Sequence, residues 1–171
     1  MNWPSNPALR FLRIILPVTL ALVAVNALAA DTPGGLSGDY EDEGTLADGA
    51  AKDFAGGVSL GALLSMEFEP SLVKKLHEQI AKVRVKQGDG VLKAVIYDRG
   101  GAVLRQGRWN RSEQKAGQAY LYFRDQDQHI VLLLETAGDG ELLKVTLQRS
   151  DPTLFGPALR TVGVLLFPRI R

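Results

Sequence analysis

Between Lys82 and Gln148, apolar and polar side chains alternate in short runs separated by turns that carry glycine. Lys82, Arg84 and Lys86 alternate with Val83 and Val85, and Ala119, Leu121 and Phe123 alternate with Tyr120 and Tyr122. A period of two places successive side chains on opposite faces of an extended chain, which is the pattern of a half-buried strand. The same reading covers Val91–Asp98, Ala102–Arg111, His129–Thr136 and the run around Leu143, Val145 and Leu147. His129–Thr136 is the most apolar of these and is expected at the centre of a sheet. Gly88-Asp89-Gly90, Arg99-Gly100-Gly101 and Gly138-Asp139-Gly140 supply the turns. The likeness of the first and last of these needs only common turn chemistry, not a duplicated unit. Six candidate strands joined by short turns predict an antiparallel meander.

Elsewhere the period lengthens. Leu72, Val73, Leu76 and Ile80 fall at helical spacing behind Pro70, which suits a first helical turn, so the pattern predicts a helix over 70–81. The apolar run from Val58 to Phe68 fits a strand or a short helix. So does Pro157–Arg171, where Gly163 and the flanking prolines favour a strand. The expected fold class is α+β: an antiparallel β meander of six to seven strands with one packed helix, a β-sandwich being the alternative. An eight-stranded outer-membrane barrel has the right size with an export signal, but the helical segment and the charges within strands count against it.

The first residues follow neither period. Arg10 and Arg13 precede an apolar stretch from Ile14 to Val25, and Ala27-Leu28-Ala29 then places small residues where a signal peptidase cuts. Residues 1–29 are therefore expected to be a cleavable signal peptide, leaving no membrane span behind. Residues 30–53 read as an acidic flexible segment: Asp31, Asp39, Glu41, Asp42, Glu43, Asp48 and Asp53 face only Lys52. Residues 54–171 form the expected single domain, and they carry the compensating excess of base.

Formal net charge is only +1, which argues against a dedicated nucleic-acid binder. The chain has no cysteine, which excludes disulfides, thiolate metal sites and a cysteine nucleophile. Exported small domains of eukaryotes lean on disulfides, so a cysteine-free exported chain points to the bacterial periplasm.

Gly57-Val58-Ser59-Leu60-Gly61 matches the G-x-S-x-G nucleophile elbow. That elbow needs a large parallel sheet, which the meander does not offer. A small serine hydrolase with His129 and Asp98 or Asp89 is thus a remote reading, and Ser59 is expected in a glycine-flanked bend. Asp39-Tyr40-Glu41-Asp42-Glu43-Gly44 resembles the start of a calcium loop but has Ala50 where the bidentate glutamate belongs. Asp125, Asp127 and His129 sit close along an extended segment, and turn solubility explains them without a metal. No catalytic, cofactor or metal site is assigned.

The positive feature is a basic, aromatic middle: Arg105, Arg108, Trp109, Arg111, Tyr120, Tyr122 and Arg124. If their two strands pair, several of these would share a face able to bind phosphate, carboxylate or sugar rings. The expected function is a noncatalytic accessory or interaction protein of the bacterial cell envelope, with an envelope protein or an anionic envelope polymer as partner. The alternative is a carrier of a lipid or other apolar ligand, held near Leu72, Leu76 and Ile80.

Overall fold

The computed structural model describes residues 35–88, 90–110, 117–125, 128–153 and 156–171. The signal-peptide assignment, Arg111 and Asp127 lie outside the described residues. Antiparallel sheet dominates. Strands β3 (Ile80–Gly88), β4 (Val91–Asp98) and β5 (Val103–Asn110) form one meander. Strands β6 (Gln118–Asp125), β7 (Gln128–Ala137), β8 (Leu142–Thr153) and β9 (Gly156–Ile170) form another. The period-two runs thus become strands in pairwise register, and the run beginning at Pro157 is a strand. The apolar β7 lies second from one end of the order, between β6 and β8.

The two meanders do not pair through β5 and β6, although those strands are consecutive in the chain. They are joined instead by β1 (Gly38–Tyr40), which lies between β3 and β9, giving the order β5-β4-β3-β1-β9-β8-β7-β6. A further strand, β2 (Thr45–Gly49), pairs with β9 through Leu46 and Leu165. This corrects the reading of residues 30–53 as a loose acidic lead-in. From Leu36 onward the segment packs into the domain and supplies two strands of the sheet, with Leu36 and Tyr40 fully buried and Asp42 3% exposed. Its acids are tolerated because each buried or half-buried one finds a partner on a distant element, as described below. Among the described residues the strand count accordingly rises to nine.

One cluster of buried side chains takes the inward positions of both halves. Val83 and Val85 face Ile96 and Ala94 across β3 and β4, while Leu121, Leu132 and Leu147 align across β6, β7 and β8. Trp109 on β5 and Phe123 on β6 meet edge to face at 6.3 Å, so the sheet curls until its two terminal strands approach. Trp109 lies back over Gly107, where a Cβ would stand 2.2 Å from the indole. The glycine is the seat of the ring.

The run from Val58 to Phe68 contains a short helix, α1 (Leu60–Leu64), with all five residues buried. Helix α2 spans Pro70–Gln79. It buries only Val73, and Leu72 remains 43% exposed. The expected helix is therefore present, but it rests lightly on the sheet, and Ile80 belongs to β3.

Candidate functional site

The alternation that buries Val83 and Val85 turns Lys82, Arg84 and Lys86 to the outer face of β3. The β3–β4 and β4–β5 registers then set Lys86 opposite Lys93, and Lys93 opposite Arg108. All three are exposed. Directly opposed residues on antiparallel strands have Cβ atoms about 4.5–5.5 Å apart, and like charges in such pairs repel. Among the described residues none of the three has an ion-pair partner. The result is a column of three cations crossing the sheet at right angles to its strands.

Beside the column the basic residues are compensated. Asp39 on β1 stands opposite Arg84. Its carboxylate accepts from Arg84 Nε at 2.6 Å and Nη2 at 2.9 Å, and from Lys82 Nζ at 2.7 Å. The Arg84 hydrogen bonds, reinforced by Lys82 against the opposing effect of burial, hold the Asp39 carboxyl down at about 2. Asp39 in turn raises the Arg84 guanidinium above its ordinary value. The ring of Tyr97 lies under both cations, 5.6 Å from Lys82 Nζ and 5.5 Å from the Arg84 guanidinium carbon.

A groove of about 500 Å³ runs along this outer surface between β3, β1 and the end of β9. Its walls include Lys82, Arg84, Lys86, Arg169 and Arg171, with Asp39 as their acid. Arg169 Nη2 donates to the carbonyls of Gly35 and Ser37 and to Tyr40 Oη, so it ties the chain ahead of β1 to β9. Arg171 donates to Glu141. Lys86 belongs both to the groove and to the cation column.

The residues singled out from sequence are distributed over several surfaces. Arg108 is in the column. Arg105 faces the other way, opposite Ile96, beside α2 and Leu76. Trp109 is also inward and closes the approach to β6. Tyr120, Tyr122 and Arg124 share the outer face of β6, where the two tyrosine rings stack at 6.3 Å. Because β5 and β6 occupy opposite ends of the strand order, the structure does not bring these residues onto one paired face. Lys86 and Lys93 were missed, although the register that pairs Gly88 with Val91 sets them opposite each other.

The G-x-S-x-G serine has a different role from that of a nucleophile elbow. Ser59 is the N-cap of α1: its hydroxyl accepts from Ala62 N at 3.1 Å and donates to Asp42 Oδ1 at 3.0 Å. Asp42 Oδ1 also accepts from Gly61 N at 2.8 Å, and the Asp42 carbonyl accepts from Leu60 N. His77 on α2 places Nδ1 2.7 Å from Asp42 Oδ2. The carboxylate therefore stands between serine and histidine, so the imidazole bonds the acid and the serine proton is committed to it. Gly61 is needed for packing, since a Cβ there would stand 2.4 Å from Ile80 Cδ1. The calcium-loop likeness dissolves in the same way, with Asp39 committed to β3 and Asp42 to α1 and α2.

Among the described residues no group of acids and histidines is placed to hold a metal ion, and no helix is long and apolar enough to cross a membrane. Compared with known proteins, the chain matches no family model, no curated protein and no solved structure.

Proposed function

We propose that this is an exported, noncatalytic interaction protein of the bacterial cell envelope that holds an anionic partner against the outer face of β3, β4 and β5. The observation that carries this reading is the in-register column Lys86–Lys93–Arg108. Opposed like charges work against the sheet, and an anionic partner would turn that repulsion into attraction. Export to the periplasm rests on the Arg10, Arg13 and Ala27-Leu28-Ala29 pattern. The noncatalytic reading is supported by Ser59, whose hydroxyl is engaged in capping α1 and in bonding Asp42.

The carrier reading has less behind it. The space beside α2 at Leu72 and Leu76 is an open groove of about 220 Å³, and the cavity between α1 and α2 is about 30 Å³. The latter holds about one water, whereas ligand pockets run from about 300 Å³ upward.

Cell fractionation with N-terminal sequencing tests the address: a periplasmic chain beginning at Ala30 or Asp31 is expected, and a full-length cytoplasmic chain overturns it. Co-sedimentation with the washed envelope fraction tests the face. Lys93→Glu with Arg108→Glu is expected to release the protein, whereas Lys74→Glu with Lys75→Glu, an equal charge change on exposed α2 positions, leaves it bound. Equal sedimentation of both variants overturns the face.

A further inference from the structure

Lys86 joins two features. On one side it is the first member of the column that continues through Lys93 to Arg108; on the other it lines the groove that runs past Arg84 to Arg169 and Arg171. The uncompensated cations therefore cross three neighbouring strands, β5, β4 and β3. At Lys86 the column opens into the groove, whose own cations are paired with Asp39, with the chain ahead of β1 and with Glu141. At the usual spacing between strands the column is about 10 Å from end to end.

We infer that this path is a binding track for a linear polyanion, a chain of closely spaced phosphate groups laid across the strands with part of its length settled in the groove. The inference rests on the interaction-protein reading above and names the partner's chemistry. Three geometric facts select a thread over other anions. A single small anion cannot reach from Lys86 to Arg108, two strand spacings away. A planar membrane surface meets the exposed column but not the half-buried Lys82 and Arg84 on the groove wall. A flexible chain reaches both. The column also lacks the shaped walls that would recognise an individual group, so affinity comes from adding charges along a length. Lysine suits that role, being a point charge without the planar fork that reads one anion in one orientation. Binding of this kind releases counterions and falls steeply with salt.

The test uses the exported, processed protein with three probes: inorganic triphosphate, long-chain inorganic polyphosphate, and vesicles containing phosphatidylglycerol. Per mole of phosphate, polyphosphate is expected to bind far more tightly than triphosphate. Lys93→Gln with Arg108→Gln should weaken polyphosphate binding roughly tenfold and reduce the slope of log affinity against log salt by about 1.4–1.8, leaving triphosphate binding unchanged. Lys74→Gln with Lys75→Gln, which removes the same charge elsewhere, should leave every affinity unchanged. If both double variants weaken binding equally, net charge is the cause and the track is overturned. Equal affinity for triphosphate and polyphosphate overturns it too, placing the site in the groove alone. Binding to vesicles without binding to polyphosphate overturns the polymer but keeps the anionic-partner reading. Failure of all three probes overturns the polyanion track, and the envelope co-sedimentation above then decides the broader reading.

Discussion

Ser59 gives its hydroxyl proton to Asp42 Oδ1 across 3.0 Å, and that bond ties the first turn of α1 to the chain between β1 and β2. The Asp42 carboxylate and carbonyl, together with the Ser59 side chain and carbonyl, receive the N–H groups of Leu60, Gly61, Ala62 and Leu63. The N–H groups of Leu60, Gly61 and Ala62, which a helix start leaves open, are thus all satisfied, and Leu63 makes the first bond within the helix. Asp42→Ala strands three buried or half-buried donors and is expected to cost about 3 kcal/mol. Asp42→Asn keeps one acceptor and should cost less, and Ser59→Ala about 1 kcal/mol as an ordinary loss of a cap. Urea unfolding of the three variants checks this order; a larger loss for Ser59→Ala than for Asp42→Ala would refute it.

Lys93→Glu places an acid between Lys86 and Arg108. Two repulsive pairs become attractive ones, so the variant should be more stable than the parent by roughly 0.5–1 kcal/mol. The gain should shrink as salt is added, because the groups are exposed. The same change should weaken anion binding, so stability and binding move in opposite directions at one residue. Thermal unfolding at low and high salt reads the first half of this expectation.

Asp39 titrates at about 2 in the folded protein, against 3.8 for the free group. A depressed carboxylate contributes stability that is present above its unfolded value and is lost as pH falls through the folded one. The contribution should therefore be complete above pH about 4 and disappear toward pH about 2. Lys82 and Arg84 are partly open to water, which screens the pair and holds its worth to about 1 kcal/mol. Subtracting the Asp39→Asn unfolding curve from that of the parent, over this pH range, isolates it from the other acids. A difference independent of pH would contradict the pairing.

Gly107→Ala drives a Cβ into the indole of Trp109. Displacing that ring should cost about 1–3 kcal/mol and loosen its edge contact with Phe123. From residue 30 onward Trp109 is the only tryptophan, so its emission should shift to the red as water reaches it. An unshifted spectrum with unchanged stability would show that the ring has another place to go.

The strands from Lys82 to Ala137 were legible because burial on one face imposes a period of two and most of the connections between them carry glycine. Helix α2 was legible from Pro70 and its spacing, but the exposure of Leu72 was not, since spacing defines a face without saying what covers it. The place of β1 was hidden for a different reason. Three residues carry too little pattern, and their acidic surroundings look like solvated chain until Arg84, Ser59 and His77 arrive from distant positions to neutralise or bond them. Adjacency in sequence left the pairing of β5 with β6 open, and the strand order places the two at opposite ends. Lys86 and Lys93 are set opposite each other by the register of the β3–β4 hairpin, a pairing that a lysine alone does not announce.

Because β1 pairs with both β3 and β9, the first described strand and the last are neighbours in the middle of the sheet. Removing either would open the molecule at its centre, where a lost edge strand would only trim it. Joining the halves must also wait until Arg169 and Ile170 exist to meet Tyr40 and Asp39. Assembly of the sheet is thus coupled to the arrival of β9: the local hairpins can form early, yet the two halves close around a common core only when β9 is free to dock.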